Sequence, residues 1–376
     1  MMLCLLLILA LLIYLTYILM VIKEDKIKTG IILMIMLILV GGSYEMADYD
    51  VYKSIYSIMS NVESINSLDV MTFFGYSNGD LGYLFTNLIF YKLGFNFEEY
   101  RFVCFVIFIL LVAWECERKS HCLWMVLLLY FIYPLFIDAI QLRNTFVEIA
   151  LLLSFGQLVS LKCKNIVIYI LCLGMAATIH KISLIYIPFV IWILIRKTSM
   201  GKRISYFFII IGACTPLFAE FILSKIDTIY LLLLDGGQYA GYVAQDFGIR
   251  RYIAYVCVLG MALLSNYVYQ NITHDGDEKT KYIYLIRELG MYLLAIAPIF
   301  VLSRELSRVP RNTLLFLYVL IGIYMHGYRG KYGRICICFI AMILVGVYGY
   351  IDFYMYEGHN ILSLVYNYNF FLEILE

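Results

Sequence analysis

Charge is scarce in this sequence. Asp, Glu, Lys and Arg make up only 15% of its 376 residues, and 63% of the chain is hydrophobic. Soluble domains carry about 25% charged residues, so this balance excludes an ordinary soluble fold and puts the chain in a bilayer. The mean hydropathy of +0.87 agrees. With 28 basic against 27 acidic residues there is no basic stripe, which excludes nucleic acid as a partner. Proline is nearly missing, at five residues, so long helices can run with few breaks. The ten cysteines form no CxxC pair, and Cys336 and Cys338 sit two apart inside an apolar run. They read as small membrane hydrophobes, not as zinc ligands. Tyrosine, by contrast, is abundant at 35 residues, and interfacial rings are expected to use many of them.

A spanning helix needs about 20 apolar residues. Runs of that kind fall at 2–22, 30–44, 98–115, 121–137, 139–161, 165–180, 182–197, 204–223, 250–270, 282–302, 312–328 and 334–351. They predict an all-α polytopic membrane protein with about twelve transmembrane helices. Residues 1–22 lack a basic n-region and a small-residue cleavage site, so they are expected to span and not to be removed. The longest polar interval is 45–79, which leaves no room for a soluble domain. The chain is expected to form one membrane domain over 1–376, with an external segment at 45–97.

Lys and Arg in short loops set the orientation. Lys23, Lys26 and Lys28 place the first loop in the cytoplasm, and Arg118 with Lys119 begins the later cytoplasmic set. An even number of crossings must lie between these two loops. Spans 30–44 and 98–115 supply it, so the short apolar segment 80–93 is expected to be re-entrant or peripheral.

This topology gathers the unusual residues outside. Asp138, Gln141, Arg143, Asn144 and Glu148 open one helix, and Gln141, Asn144 and Glu148 recur along one helical face. His180 closes the run LGMAATIH, Arg250 and Arg251 begin another helix, and Arg304, Arg308 and Arg311 crowd one turn. Three arginines in an outside turn run against the positive-inside bias. A guanidinium fork suits phosphate, so these side chains are candidate ligands of a diphosphate; headgroup contacts or pairing with Glu305 would also account for them. In DYDVYKSIY, Tyr49, Tyr52 and Tyr56 follow two acids, Asp48 and Asp50. Aromatic faces beside carboxylates suit sugar rings, and equally an interfacial belt. The DxD triplet could hold a divalent cation, but three letters alone do not make a site. His180 is a candidate base near neutral pH, or a structural residue at the membrane edge.

The order of these elements resembles the EpsG family of Wzy-like exopolysaccharide, capsule and O-antigen polymerases. The matching residues are Asp48, Tyr49 and Tyr52; Asp80, Gly82 and Tyr83; Gln141, Leu142 and Arg143; His180; and Ser307 with Arg308. The family usually has Glu where this chain has Asp80, and Gln where it has Asn144. The resemblance implies a GT-C-like membrane fold and the joining of oligosaccharide repeat units carried on undecaprenyl diphosphate. It places the reaction at the external face of the bacterial plasma membrane. It implies His180, Asp48 and Arg143 as catalytic residues, with His180 or Asp48 as the base. Arg308, Arg304, Arg251, Gln141, Asp50, Tyr49, Tyr52 and Asp80 would bind substrate. No metal or other cofactor is expected, because arginines supply the positive charge. Lipid-linked donor and acceptor, the bilayer, and a flippase and chain-length regulator of the same pathway are the expected partners. A lipid-linked oligosaccharide flippase, another polyprenyl-linked sugar transferase and a structural export subunit remain alternatives.

Overall fold

Helix boundaries in this chain follow local chemistry as much as hydropathy. The computed structural model describes residues 24–43, 49–61, 80–120, 122–233, 249–272, 278–302, 306, 308–327, 331–351 and 368–369. Some helix residues, Arg251 among them, are described by backbone alone. Among the described residues there is no strand, only an isolated bridge between Ser43 and Asn369. The fold is all-helical, as expected; the expected span 2–22 lies outside the described residues.

The first half contains α1 (Asp25–Met36, continued by a π-helical turn Leu37–Gly41), α2 (Tyr49–Ser57), α3 (Leu81–Lys92), α4 (Phe97–Ser120), α5 (Leu123–Ile132), α6 (Leu135–Ile140), α7 (Leu142–Phe155) and α8 (Cys163–Ala177). A 3-10 turn, Lys181–Tyr186, leads into α9 (Phe189–Ile195). Then come α10 (Ser199–Leu233), α11 (Ile249–Asn271), α12 (Glu278–Ala295), α13 (Ala297–Leu302), the short α14 (Arg308–Arg311), α15 (Leu314–Gly327) and α16 (Lys331–Gly349). Among the described residues two stretches, Leu142–Val159 and Tyr252–Asn271, have the length and hydropathy to cross a bilayer as single helices.

The short segment expected not to cross is α3, and its ends are chemically defined. Past its C-terminus Gly94 adopts φ +87°, its N–H donates to the Tyr91 carbonyl at 3.0 Å, and the Phe95 N–H donates to the Phe90 carbonyl at 3.1 Å. This is a Schellman closure, which a residue with a Cβ would strain. Two residues later a capping box opens α4. The Glu99 N–H donates to Asn96 Oδ1 at 2.8 Å, and the Asn96 N–H donates to Glu99 Oε2 at 2.9 Å. The chain therefore reverses between Leu93 and Asn96.

The core has two parts. The larger spans the bundle and includes nearly all of α5 and α15. The smaller joins α2, α3 and the start of α4 around Tyr49, Tyr52, Tyr56, Tyr83 and Tyr100, and touches α7 through Leu142. Tyr56 and Tyr100 stack at 5.3 Å between centroids, and Tyr52 meets Tyr83 edge-on at 5.8 Å. These rings are buried, so the expectation that tyrosine serves mainly as an interfacial belt holds only in part.

Hydropathy predicts continuous spans over 121–137 and 139–161, but the helix breaks twice there. Tyr133 is extended ahead of Pro134, and Gln141 leaves helical geometry between α6 and α7. Backbone groups freed inside an apolar bundle need partners. Tyr318 donates its hydroxyl to the Tyr133 carbonyl at 2.7 Å, and Thr145 donates to the Asp138 carbonyl at 2.6 Å. Elsewhere Tyr186 serves the Val309 carbonyl at 2.8 Å and Tyr169 serves Tyr186 at 3.0 Å. Three tyrosines, Tyr169, Tyr186 and Tyr318, thus serve buried main-chain carbonyls.

Candidate active site

Four elements bring the singled-out residues together: the start of α3, the α6–α7 break, the turn after α8, and α14. Asp80 immediately precedes α3, and the Gly82 N–H donates to the Thr178 carbonyl at 2.7 Å. A Cβ on Gly82 would overlap Thr178 Oγ1 and stand 2.9 Å from Ile179 Cγ1. Glycine is required by this close approach, which docks α3 beside His180.

Arg143, one residue into α7, donates from Nη1 to Asp80 Oδ2 at 2.6 Å. Its guanidinium lies 5.5 Å from the Tyr52 ring and 5.8 Å from the Tyr83 ring. Such a cation is held against two aromatic rings as well as by its carboxylate partner. Burial raises the Asp80 carboxyl above its ordinary value; Arg143 and then Lys181 offset this only in part.

His180 faces α14. Its Nε2 is 3.4 Å from Arg308 Nη1, and Arg308, Arg143 and Arg311 all act on it electrostatically. Arginine only donates hydrogen bonds, so Nε2 must accept and the imidazole is neutral in this contact. Both His180 and Arg308 are half-buried.

Beneath them α14 is tied to the α6–α7 break. Arg311 donates to Gln141 Oε1, and its Nε lies 3.6 Å from Asp138 Oδ1. Asn144 and Asn312 exchange two hydrogen bonds, at 2.6 and 2.9 Å. Asn144 and Glu148 share the buried face of α7, as their spacing predicts, while Gln141 sits at the break above it.

Tyr52, Asp80, Gln141, Arg143, His180 and Arg308 are therefore drawn into one cluster. Tyr49 is buried in the smaller core, where it donates to Glu98 and accepts from Lys53 at 3.0 Å. Lys53 also donates to Glu98 Oε1 at 2.8 Å; this bond first, and then the one to Tyr49, hold its ammonium above its ordinary value. Asp50 is exposed and joins no contact of the cluster. Asp48, Arg304 and Ser307 lie outside the described residues, as does the side chain of Arg251. Asn312 escapes sequence reasoning: a single Asn beside an apolar run carries no periodic signal. The TxH sequence that ends at His180 gives no hint that Thr178 receives α3.

Among the described residues no group of three or more His, Cys, Asp or Glu is placed to hold a metal ion. The chemistry available is that of guanidinium groups around a neutral imidazole. Such a site can hold an anion and accept a proton.

The chain matches the EpsG family over residues 26–370. It belongs to the EpsG family. EpsG is a Wzy-like polysaccharide polymerase family, so the chain is a helical membrane protein of polysaccharide biosynthesis. No curated protein and no solved structure gives a significant match.

Proposed function

We propose that this EpsG-family protein polymerises oligosaccharide repeat units carried on undecaprenyl diphosphate, working at the external face of the plasma membrane. The observation that carries the reading is the meeting of Arg143, His180 and Arg308 from three separate parts of the chain. The proposed topology has about twelve spans in one membrane domain, with α3 as a peripheral or re-entrant helix, and puts this meeting point outside.

In the reaction, an acceptor sugar hydroxyl attacks the anomeric carbon of the donor chain. The new C–O bond forms as the bond from that carbon to the diphosphate oxygen breaks. The lipid diphosphate leaves with the bonding electron pair, and the hydroxyl proton passes to a base. Arg308 and Arg143 are assigned to the diphosphate, where they meet the charge that grows as the bond breaks. His180 is assigned as the base. Its Nε2 is engaged by Arg308, so a diphosphate that draws Arg308 away would free the proton-accepting nitrogen. Substrate binding and base activation are then one event. Tyr52 and Asp80 hold Arg143, and Asp80 has a second available oxygen for a sugar hydroxyl. An apolar cavity lined by Met261, Ala262, Gly290, Leu293 and Leu317 reaches Pro310, between Arg308 and Arg311, and suits an isoprenoid chain.

The deciding experiment reconstitutes the protein with a lipid-diphosphate-linked repeat unit and reads the product ladder on a gel. Products longer than one unit are expected from the wild type. Arg143→Ala and Arg308→Ala are each expected to lose about a hundredfold or more in rate at normal abundance. Full-length ladders from both variants would remove the role given to these arginines.

A further inference from the structure

One buried acid is left unused by this mechanism. Glu148 lies one and a half turns into α7, only 1% exposed, and Asp138 on α6 is equally buried. The Glu148 carboxyl is within hydrogen-bonding reach of the Asp138 carboxyl. Yet neither Glu148 oxygen meets an N–H or O–H donor among the described residues.

The surroundings explain why. The ionisable groups facing Glu148 are Cys116 of α4, Tyr130 of α5, Asp138 of α6, Tyr186, Arg311 of α14 and Tyr318 of α15. The tyrosine protons are committed elsewhere: Tyr130 to Asp138 Oδ2 at 2.9 Å, Tyr186 to the Val309 carbonyl and Tyr318 to the Tyr133 carbonyl. Arg311 directs its donors at Gln141 and Asp138. Two carboxyls in contact, sealed from water beside one guanidinium, cannot both be ionised without a large desolvation and repulsion cost. Asp138 receives the Tyr130 hydroxyl and the Arg311 ion pair, so it is the one that keeps the charge.

We infer that Glu148 is carried as a carboxylic acid whose O–H donates to the Asp138 carboxylate, making a proton-holding pair that anchors Arg311. Glu148 is then a positioning residue. It acts through Asp138 and Arg311 on the α14 turn that presents Arg308 to His180, a role that rests on the reaction proposed above. The shared proton itself does not depend on that reaction.

Two measurements test the inference. Infrared spectroscopy of the purified full-length protein at neutral pH is expected to show a protonated-carboxyl C=O band. That band should shift on isotopic labelling of glutamate and be missing from Glu148→Gln. In the ladder assay, Glu148→Gln can still donate to Asp138 and is expected to stay near the wild-type rate. Glu148→Ala, which cannot, is expected to fall about tenfold, the scale of one charge-assisted hydrogen bond. No such band in the wild type, or one that persists in Glu148→Gln, overturns the shared proton. Loss of polymer by Glu148→Gln as deep as that of Glu148→Ala, at equal abundance, overturns the positioning role. Should the wild type make no polymer at all, the proposed reaction fails, while the infrared result still decides the proton.

Discussion

Asp80 shows how one side chain can serve a site while weakening the fold that holds it. Its carboxylate gives Arg143 a fixed partner, but burial raises its pKa, and the arginine only partly corrects this. The consequence for pH has two opposite signs. An acid whose folded-state pKa lies above its unfolded value makes a contribution to stability that is present at low pH and is lost as pH rises through the folded pKa. The Arg143 ion pair instead needs the ionised form, which is lost as pH falls through that same value. Polymerisation is therefore expected to show an acid limb at higher pH than an ordinary aspartate would give, without matching acid unfolding. Asp80→Asn should remove that limb while lowering the plateau, as read by initial rates across a pH series; a limb unchanged by the substitution would assign it to another group. At this scale the sequence was informative where chemistry conflicted with place. Arg308 and Arg143 stood out as cations on the proposed outer side, and His180 as the end of an apolar run. Asp50 looked equivalent to its neighbours, yet it faces solvent. Nothing in composition separates a tyrosine that holds Arg143, such as Tyr52, from one locked to Glu98, such as Tyr49.

Among the elements, α3 is the most sharply specified. It is fixed at one end by the Gly82 approach to Thr178 and closed at the other by Gly94. Gly82→Ala is expected to destabilise the protein by about 1–3 kcal/mol, the usual cost of forcing a methyl into packed space. Thermal unfolding in detergent measures it. Adding Thr178→Ala should recover only part of the loss, because Ile179 Cγ1 at 2.9 Å and the Thr178 carbonyl carbon at 3.1 Å still obstruct the new methyl. Full recovery would place the whole conflict at the threonine hydroxyl. The length of α3 was legible from its apolar run at 80–93. The breaks at Tyr133 and Gln141 were not, because hydropathy averages over the run and registers only side chains. The first of them depends on a hydroxyl from Tyr318, far along the chain, and a short-range pattern cannot represent such a partner.

For the molecule as a whole, the proposed topology makes a claim about which side of the membrane the α3–α4 reversal occupies. Leu93 is exposed at the start of that reversal, within the Schellman closure and ahead of the capping box. In a background freed of reactive cysteines, Leu93→Cys is expected to be labelled by a membrane-impermeant thiol reagent added outside intact cells. Labelling only after the cytoplasmic face is opened would mean that α3 crosses, and the parity of every later span would change. The helical class and membrane setting were plain from composition. The two-part core was not, since α2 and α3 are short and their aromatic residues could equally have lain at an interface.

The distances in sequence between partners also set an order of events during synthesis. Asn144 waits for Asn312, Tyr133 for Tyr318, Asp138 for Arg311, and His180 for Arg308. Each first member leaves the ribosome more than a hundred residues before its partner. For that interval the broken helices α5 to α7 stand in the membrane with carbonyl and carboxamide groups unmet, a state that water, the translocon or a chaperone must accommodate. Once α14 and α15 arrive, one late stretch of the chain meets all four needs together. A nascent chain that has not yet made residue 308 thus carries every acid of the site and Arg143, yet has no site. Assembly of the proposed catalytic cluster is thus conditional on translation through α15, a dependence built into the spacing of a few polar residues along a greasy chain.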